Sequence, residues 1–351
     1  MHIETAIGRL KLAHGFNIYV DVTAACNARC PFCIAPVVGR RDGPGFFAGL
    51  DYALDLAAQT DGTLQIVGGE PTISKRLLPI LERLTAFRLR RVVLNTNAAR
   101  LPAETVAALR AARAWHVNIS RHHYDEQRNQ AIMLQKPMVS NAELTEKIAR
   151  LIDAKIRVRL QCNLIPGEIE SLGDVLAYME WGQSMGVREY SFSQIFPLGL
   201  FDYQVAPVAG WTEQAQVDLA GLVTAIDAHP ALRPAPGPAD TTGHGGDSTN
   251  SWGRRSPGPD GIVAHRRFWT YGESSLSLKT LAGYDEAGQP LPTAYDKAAD
   301  GELRPELLAF AVVHSDGLVT ASWDKRERIL FFPETETNII HLDAPAHSMQ
   351  Y

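Results

Sequence analysis

Sulfur is scarce in this chain. Four cysteines serve 351 residues, and none lies beyond position 162; so few rule out the disulfide framework that staples small secreted domains. Long apolar runs are also missing. No stretch approaches the roughly 20 residues a membrane-spanning helix requires, so no membrane span is expected. Basic runs are missing too, and the formal net charge is −5. A sequence-blind grip on nucleic acid is therefore not expected. The N-terminal MHIETAIGRLKLAHG has none of the charged, apolar and small-residue sections of a secretory signal. These absences make a cytoplasmic location the default. Thiols stay reduced there, so clustered cysteines point to metal or catalysis.

What is present reads as a globular protein, 45% hydrophobic and 21% charged. Its length suits one large domain plus an extension. From residue 15 to about 228, strand-like and helix-like segments alternate. The strands are expected at Asn17–Thr23, Thr63–Val67, Arg91–Asn95, His116–Ser120, Arg157–Leu164 and Glu189–Ile195. Amphipathic stretches lie between them at Phe46–Ala58, Lys75–Phe87, Ala103–Ala114, Glu143–Ala154 and Leu172–Met185, and Ser140 with Glu143 forms a capping-box pattern. Repeated strand–helix units imply an α/β fold with a parallel sheet; six of them make a partial (β/α)6 TIM barrel, with ligands at the C-terminal strand ends. Trp211–His229 reads as one further helix. The Pro/Gly-rich residues 229–262 read as a linker or lid. Residues 263–351 read as a smaller, β-leaning C-terminal extension that closes the active site, with RRFWTYGESSLSLKTL as a strand and a hairpin turning at Asp316 and Gly317. Residues 1–14 form a short N-terminal segment.

Three of the four cysteines fall within eight positions. Cys26, Cys30 and Cys33 are spaced C-x3-C-x2-C directly after the first expected strand. Three thiolates on one loop can hold three corners of a cubane 4Fe–4S cluster. A structural zinc ion normally takes four protein ligands, so it would need Cys162 or a histidine as well. Spacing alone leaves both open. After the second strand comes QIVGGEPTI, residues 65–73. Its glycines permit close backbone approach to a ligand, and Glu70 is a carboxylate suited to an ammonium group. Alone, a Gly-Gly-Glu is also a common strand-ending turn.

Together, the cysteine loop with Phe32 before its third cysteine and the Gly68-Gly69-Glu70 segment resemble the radical S-adenosylmethionine superfamily. The resemblance covers residues 15 to about 200 and agrees with the partial barrel. It implies one 4Fe–4S cluster on Cys26, Cys30 and Cys33, whose open iron binds the amino and carboxylate groups of S-adenosylmethionine (SAM). Gly68, Gly69 and Glu70 would then contact the amino group. LNTNA at 94–98 resembles the family's Thr-Asn-Gly, with Ala98 in place of the glycine, and puts Thr96 and Asn97 near the methionyl group. Ser120 would touch the SAM carboxylate and Asn163 would lie near the ribose. SQIFPLG at 193–199, similar to the molybdopterin cyclase branch, makes Phe196 an adenine-side residue. Such enzymes draw an electron from a donor such as flavodoxin or ferredoxin.

Strand alternation sorts the remaining residues. His116, Asn118, Ser120 and His122 share one parity, as do Arg157, Arg159, Gln161 and Asn163. Cys162 has the opposite parity and is expected to point at the helices as a small buried hydrophobe. A lining of this kind suits a polar small molecule such as a sugar, nucleoside or acidic metabolite, with Arg159, Gln161 and Asn118 as its contacts. Arg157, nearer the strand start, is equally read as an ion-paired cap on the barrel floor. His122, His123 and Tyr124 are placed to position substrate or move protons; a loop with incidental histidines is the plainer reading.

Many members of the family carry a C-terminal set of cysteines for auxiliary clusters. Here Ala321, Ser322 and Trp323 follow the Asp-Gly hairpin instead, so a single cluster is expected. The cluster loop begins about 25 residues in, so no preceding cobalamin or leader-peptide domain is expected. The function expected is reductive SAM cleavage and hydrogen abstraction from a polar small molecule in natural-product or cofactor synthesis. Modification of a ribosomal peptide is the enzymatic alternative. A non-catalytic iron–sulfur or zinc sensor is the alternative from another class.

Overall fold

The computed structural model describes residues 2–5, 8–33, 42–60, 62–195, 206–236, 252–254, 265–280, 307–321 and 329–333. Six parallel strands form its centre in chain order: β2 (Gly8–Asp21), β3 (Thr63–Val67), β4 (Arg91–Thr96), β5 (Ala114–Ser120), β6 (Arg157–Asn163) and β7 (Glu189–Ser193). Ile18 pairs with Leu64 and Leu64 with Val92, and the register shifts once, between Val92 and Val93 where β4 meets β5. Between the strands run α1 (Phe46–Ala58), α2 (Leu77–Leu84), α3 (Ala103–Ala111), α4 (Glu126–Met133) with α5 (Asn141–Asp153), and α6 (Leu172–Ser184).

Alternation along the strands explains the two faces. Ile18, Val20, Leu64, Ile66, Leu94, Val117, Ile119, Leu160 and Phe192 are buried in the main core that the helices cover. Cys162 is 1% exposed in the same core, as its parity requires, and burial pushes its thiol well above the usual range. The other face carries Tyr19, Gln65, Asn95, His116, Asn118, Arg159, Gln161 and Asn163, a polar lining.

The sheet stays open, and later parts of the chain extend it at both edges. β12 (Leu307–Val313) pairs parallel with β2, and β11 (Ser274–Thr280) pairs parallel with β7. Beyond β12 lie β13 (Val319–Thr320) and β14 (Ile329–Phe331); beyond β11 lie β10 (His265–Tyr271) and β8 (Leu232–Pro234). β1 (His2–Thr5) pairs antiparallel with β2, and β9 (Trp252–Arg254) with β10.

Local sequence chemistry sets the helix starts. Ser171 and Asp174 make a full capping box on α6, whereas Ser140 accepts from Glu143 N without the reciprocal bond, the Glu143 carboxylate accepting from Lys147 Nζ instead. Three expectations change. RRFWTYGESSLSLKTL is a hairpin, because Gly272 takes a left-handed backbone (φ 56) and turns β10 into β11. Trp211–His229 divides into α7 (Ala206–Gln214) and α8 (Leu219–Ala228), since Asp218 caps the second through Gly221 N. Finally, α4 follows the His-His-Tyr segment, capped by Asp125 through Arg128 N.

Candidate functional site

The C-terminal ends of β2, β3 and β4 converge on one carboxylate. Glu70 is 1% exposed. Its Oε1 accepts from Thr72 N at 2.9 Å, Thr72 Oγ1 at 2.6 Å and Thr96 Oγ1 at 2.5 Å, and its Oε2 accepts from Asn97 N at 2.6 Å. Burial pushes the carboxyl above its ordinary range, against the pull of those donors. Among the described residues no cation pairs with it, and Oε2 keeps room for one more donor. A buried carboxylate in this state is suited to one further donor, such as an ammonium group.

The two glycines before it act through close approach. Gly69 N donates to Thr23 O at 2.7 Å and Glu70 N to Ala25 O at 2.8 Å, so the segment zips onto the chain leading into Cys26. A Cβ on Gly69 would sit 2.1 Å from Ala25 O, and Gly68 has φ 137. Any larger residue would push the cysteine loop away from Glu70.

Cys26 is exposed, and Cys30 and Cys33 are half-buried. Burial and the charges of Cys33 and Cys26 push the Cys30 thiol up to about 12. Burial raises Cys26 as well, with Glu70 and Cys33 adding to the effect. The three sulfurs and Glu70 are thus close enough to repel one another as anions, which is the donor set a cationic metal group would satisfy. Among the described residues no three His, Cys, Asp or Glu side chains converge on one point as ligands of a single ion. Three thiols on one short loop are the kind of donor set that fits three irons of a cubane cluster.

Four residues that the sequence did not single out hold this loop. Asn27 Oδ1 accepts from Asn97 Nδ2 at 2.8 Å, and Gln135 Nε2 donates to Asn97 Oδ1 at 3.0 Å. Met133 O accepts from Arg29 N at 2.9 Å and from the Cys30 thiol at 3.9 Å. Arg76 donates to Gly43 O at 2.6 Å, Ser315 O at 2.7 Å and Val22 O at 3.2 Å, joining the far side of the loop to the turn after β12. Only Asn27 lies inside a recognisable motif. Phe32 packs edge-on to His122 at 4.8 Å and lies 5.8 Å from Trp211. Phe32 and Trp211 join Ile132, Met133, Ile165, Ile195 and Ala215 in a second apolar cluster that includes Cys30 and covers that side of the loop, while Cys26 stays exposed.

The other expected site residues fall into layers. Lowest in the barrel, Glu189 accepts from His116 Nε2 at 2.6 Å, Arg157 Nε at 2.6 Å and Arg159 Nη2 at 3.1 Å. Burial opposes ionisation of Glu189, but the His116 bond and the two guanidinium groups outweigh it and hold the carboxyl at about 2. Arg159 is thereby engaged in the floor ion pair along with Arg157. Above it, Asn118 Nδ2 donates to Asn95 Oδ1 at 2.9 Å, while its buried Oδ1 has no donor. Higher still, Ser120 pairs in register with Gln161, and Asn163 with Ser193; the side chains of Ser120, Gln161 and Asn163 are half-buried and bond to no other described residue.

The two histidines sit at the barrel mouth but inside the protein. His122 Nδ1 accepts from Asn163 N at 3.0 Å, so the ring proton is on Nε2; burial and the Arg121 charge hold its pKa at about 3. It is a neutral ring against Phe32. His123 Nδ1 accepts from Asp125 N at 2.8 Å, and its Nε2 is 3.8 Å from Glu168. Burial, with Arg128, lowers its pKa too. Tyr124 packs partly buried beside His123, ring centroids 4.4 Å apart. Phe196 and Ser322 to Trp323 lie outside the described residues, as does most of 229–262.

The chain is similar to several known proteins. The model of the family described as "Radical SAM superfamily" matches residues 20–204, just over half of the chain. Among curated proteins, the GTP 3',8-cyclase of Synechococcus sp. (strain WH7803) is 27% identical over 62% of this chain and 65% of its own length. That of strain CC9605 is 26% identical over 76% and 73%. The GTP 3',8-cyclase of Geobacter sulfurreducens is 35% identical over 29% and 32%. The chain therefore spans about two thirds of the first, nearly three quarters of the second and about a third of the third. Among solved structures, Streptococcus suis SuiB bound to precursor peptide SuiA covers 60% of this chain and 44% of its own, with 16% identity and a TM-score of 0.48. Native anSMEcpe with bound AdoMet covers 55% of each chain, with 14% identity and a TM-score of 0.43.

Proposed function

The chain belongs to the radical SAM superfamily of enzymes, which use a 4Fe–4S cluster and SAM, and on that premise we propose that it cleaves SAM reductively and takes a hydrogen atom from a polar small molecule. When bound, the cluster and SAM supply a 5′-deoxyadenosyl radical, the hard chemistry of the reaction. The observation that carries the reading is the uncompensated, buried Glu70 carboxylate beside the three-thiol loop. Cys26, Cys30 and Cys33 would hold the cluster. Glu70 Oε2 would accept a hydrogen bond from the SAM ammonium, with Thr96, Asn97 and Thr72 fixing the carboxylate. Ser120 and Asn163, open to a ligand, would face the rest of the cofactor.

The chain's own residues contribute positioning and exclusion of water. The Phe32, Trp211 and Ile165 cluster covers one side of the loop, and a dry site keeps a reactive radical from side reactions. Gln161 and Asn118 present unspent polar groups to a substrate. His122 is neutral and buried, so its part is to hold Asn163 and Phe32 in place. Within the polar class, a nucleoside or nucleotide is the first substrate to test, because the relatives found are named GTP 3',8-cyclases.

The test is anaerobic reconstitution followed by iron and sulfide analysis and dithionite-driven turnover of SAM. About four irons per chain and formation of 5′-deoxyadenosine are expected. One zinc with no iron, or a loaded cluster without 5′-deoxyadenosine, overturns the reading. Glu70→Gln should retain the cluster and weaken SAM binding roughly tenfold, the loss of one charge-assisted hydrogen bond.

A further inference from the structure

Four large apolar side chains stand exposed among the described residues. Two of them, Leu134 at 48% and Met138 at 38%, lie on the connector between α4 and α5. That connector also grips the cysteine loop: Met133 O takes the Arg29 N–H and the Cys30 thiol, and Lys136 N donates to Asn27 O at 2.7 Å. Leu134 adopts the left-handed backbone (φ 48), which costs a side-chain-bearing residue stability, and its side chain recovers nothing by burial. Lys136 is exposed beside it, and Arg29 is exposed on the facing loop. Neither 24–33 nor 133–140 contains an acidic residue, although the whole chain is net negative. The result is an apolar patch with a positive rim on the outer side of the cysteine loop.

We propose that this patch is the docking surface for the protein that reduces the cluster: an acidic, low-potential one-electron carrier. The proposal rests on the reading that Cys30 is a cluster ligand. Electron transfer between proteins falls off steeply with distance, so the carrier must dock close to the cluster. From Leu134 the route inward is one peptide unit to the Met133 carbonyl, whose oxygen lies 3.9 Å from the Cys30 sulfur. In each encounter the carrier is oxidised by one electron and the cluster reduced by one; no bond is made or broken, and no proton moves on this chain. Arg29 and Lys136 supply the charge complementarity that speeds and orients such encounters, while Leu134 and Met138 supply the desolvated centre.

The experiment titrates an acidic flavodoxin into the reconstituted holoprotein by calorimetry, at low and high salt. It compares wild type, Lys136→Glu and the double variant Leu134→Asn/Met138→Ser. All three side chains are exposed, and asparagine tolerates the left-handed backbone, so cluster content and thermal midpoint serve as folding controls. Lys136→Glu should weaken binding about tenfold at low salt and less at high salt; the double variant should weaken it several-fold at both. Flavodoxin-driven formation of 5′-deoxyadenosine should fall in step, with the dithionite-driven rate unchanged. Unaltered flavodoxin affinity in both variants overturns the surface. So does a loss of the dithionite-driven rate, or a wild-type dimer that the double variant abolishes. Wild type that gives no 5′-deoxyadenosine even with dithionite overturns the functional reading itself, and the surface with it.

Discussion

At the scale of single residues, environment decides role. His122 reads in sequence as a group poised to move protons, but burial holds it near 3. The linkage follows from that shift. An unfolded histidine binds a proton near its ordinary value of about 6.5, whereas folded His122 does not until about pH 3. Its contribution is fully present above pH 6.5 and is lost as pH falls toward 3, with a slope of about 1.4 kcal/mol per pH unit for one proton. His122→Gln, which keeps an acceptor for Asn163 N, should flatten the denaturation-derived stability profile between pH 6 and 4 by up to that slope. An unchanged profile would mean that the ring is solvated. Glu70 shows the opposite case: its place beside the cysteine loop was legible because the whole cue, Gly-Gly-Glu after a strand, is local. Arg76 gives no such cue, since Ser315 lies 239 residues away.

At the scale of elements, strong periodicity was enough. Phe46–Ala58 and Thr63–Val67 occupy the spans expected from their patterns. α4 was illegible because its sequence, EQRNQAIM, buries only Asn129, Ile132 and Met133, too few apolar positions to show a helical stripe. Yet α4 delivers the carbonyl and the Gln135 amide that seat the cysteine loop. Gln135→Leu removes the donor to Asn97 O and Oδ1, leaving Oδ1 only its bond from Ala99 N. Iron should then pass to a chelator several-fold faster from the reconstituted variant, at an unchanged secondary-structure signal. Arg76→Leu should cost roughly 2–3 kcal/mol in denaturant unfolding, because three carbonyls lose a shared charged donor. A cost below about 0.5 kcal/mol would show that water replaces it freely.

At the scale of the molecule, the six-strand core was readable and the sheet's edges were not. A helix or turn is written in neighbouring residues, but the pairing of Val312 with Tyr19 joins positions some 290 apart in the chain, and no local pattern encodes it. The same holds for Leu278 beside Phe192. Both late strands cover what would otherwise be bare edges of a parallel sheet. A chain cut before Leu307 should therefore expose β2 along its length and aggregate, as seen by size-exclusion chromatography; a monomeric, cooperatively unfolding product would show that β12 is dispensable.

The position of β12 also has a consequence in time. The strand that leads into Cys26 is made some 290 residues before its outer neighbour. Until Leu307–Val313 and the Ser315 turn emerge, Arg76 lacks one of its three carbonyl partners and β2 lacks its outer neighbour. The site's framework is thus completed only once synthesis has passed residue 315. Order of translation becomes order of assembly.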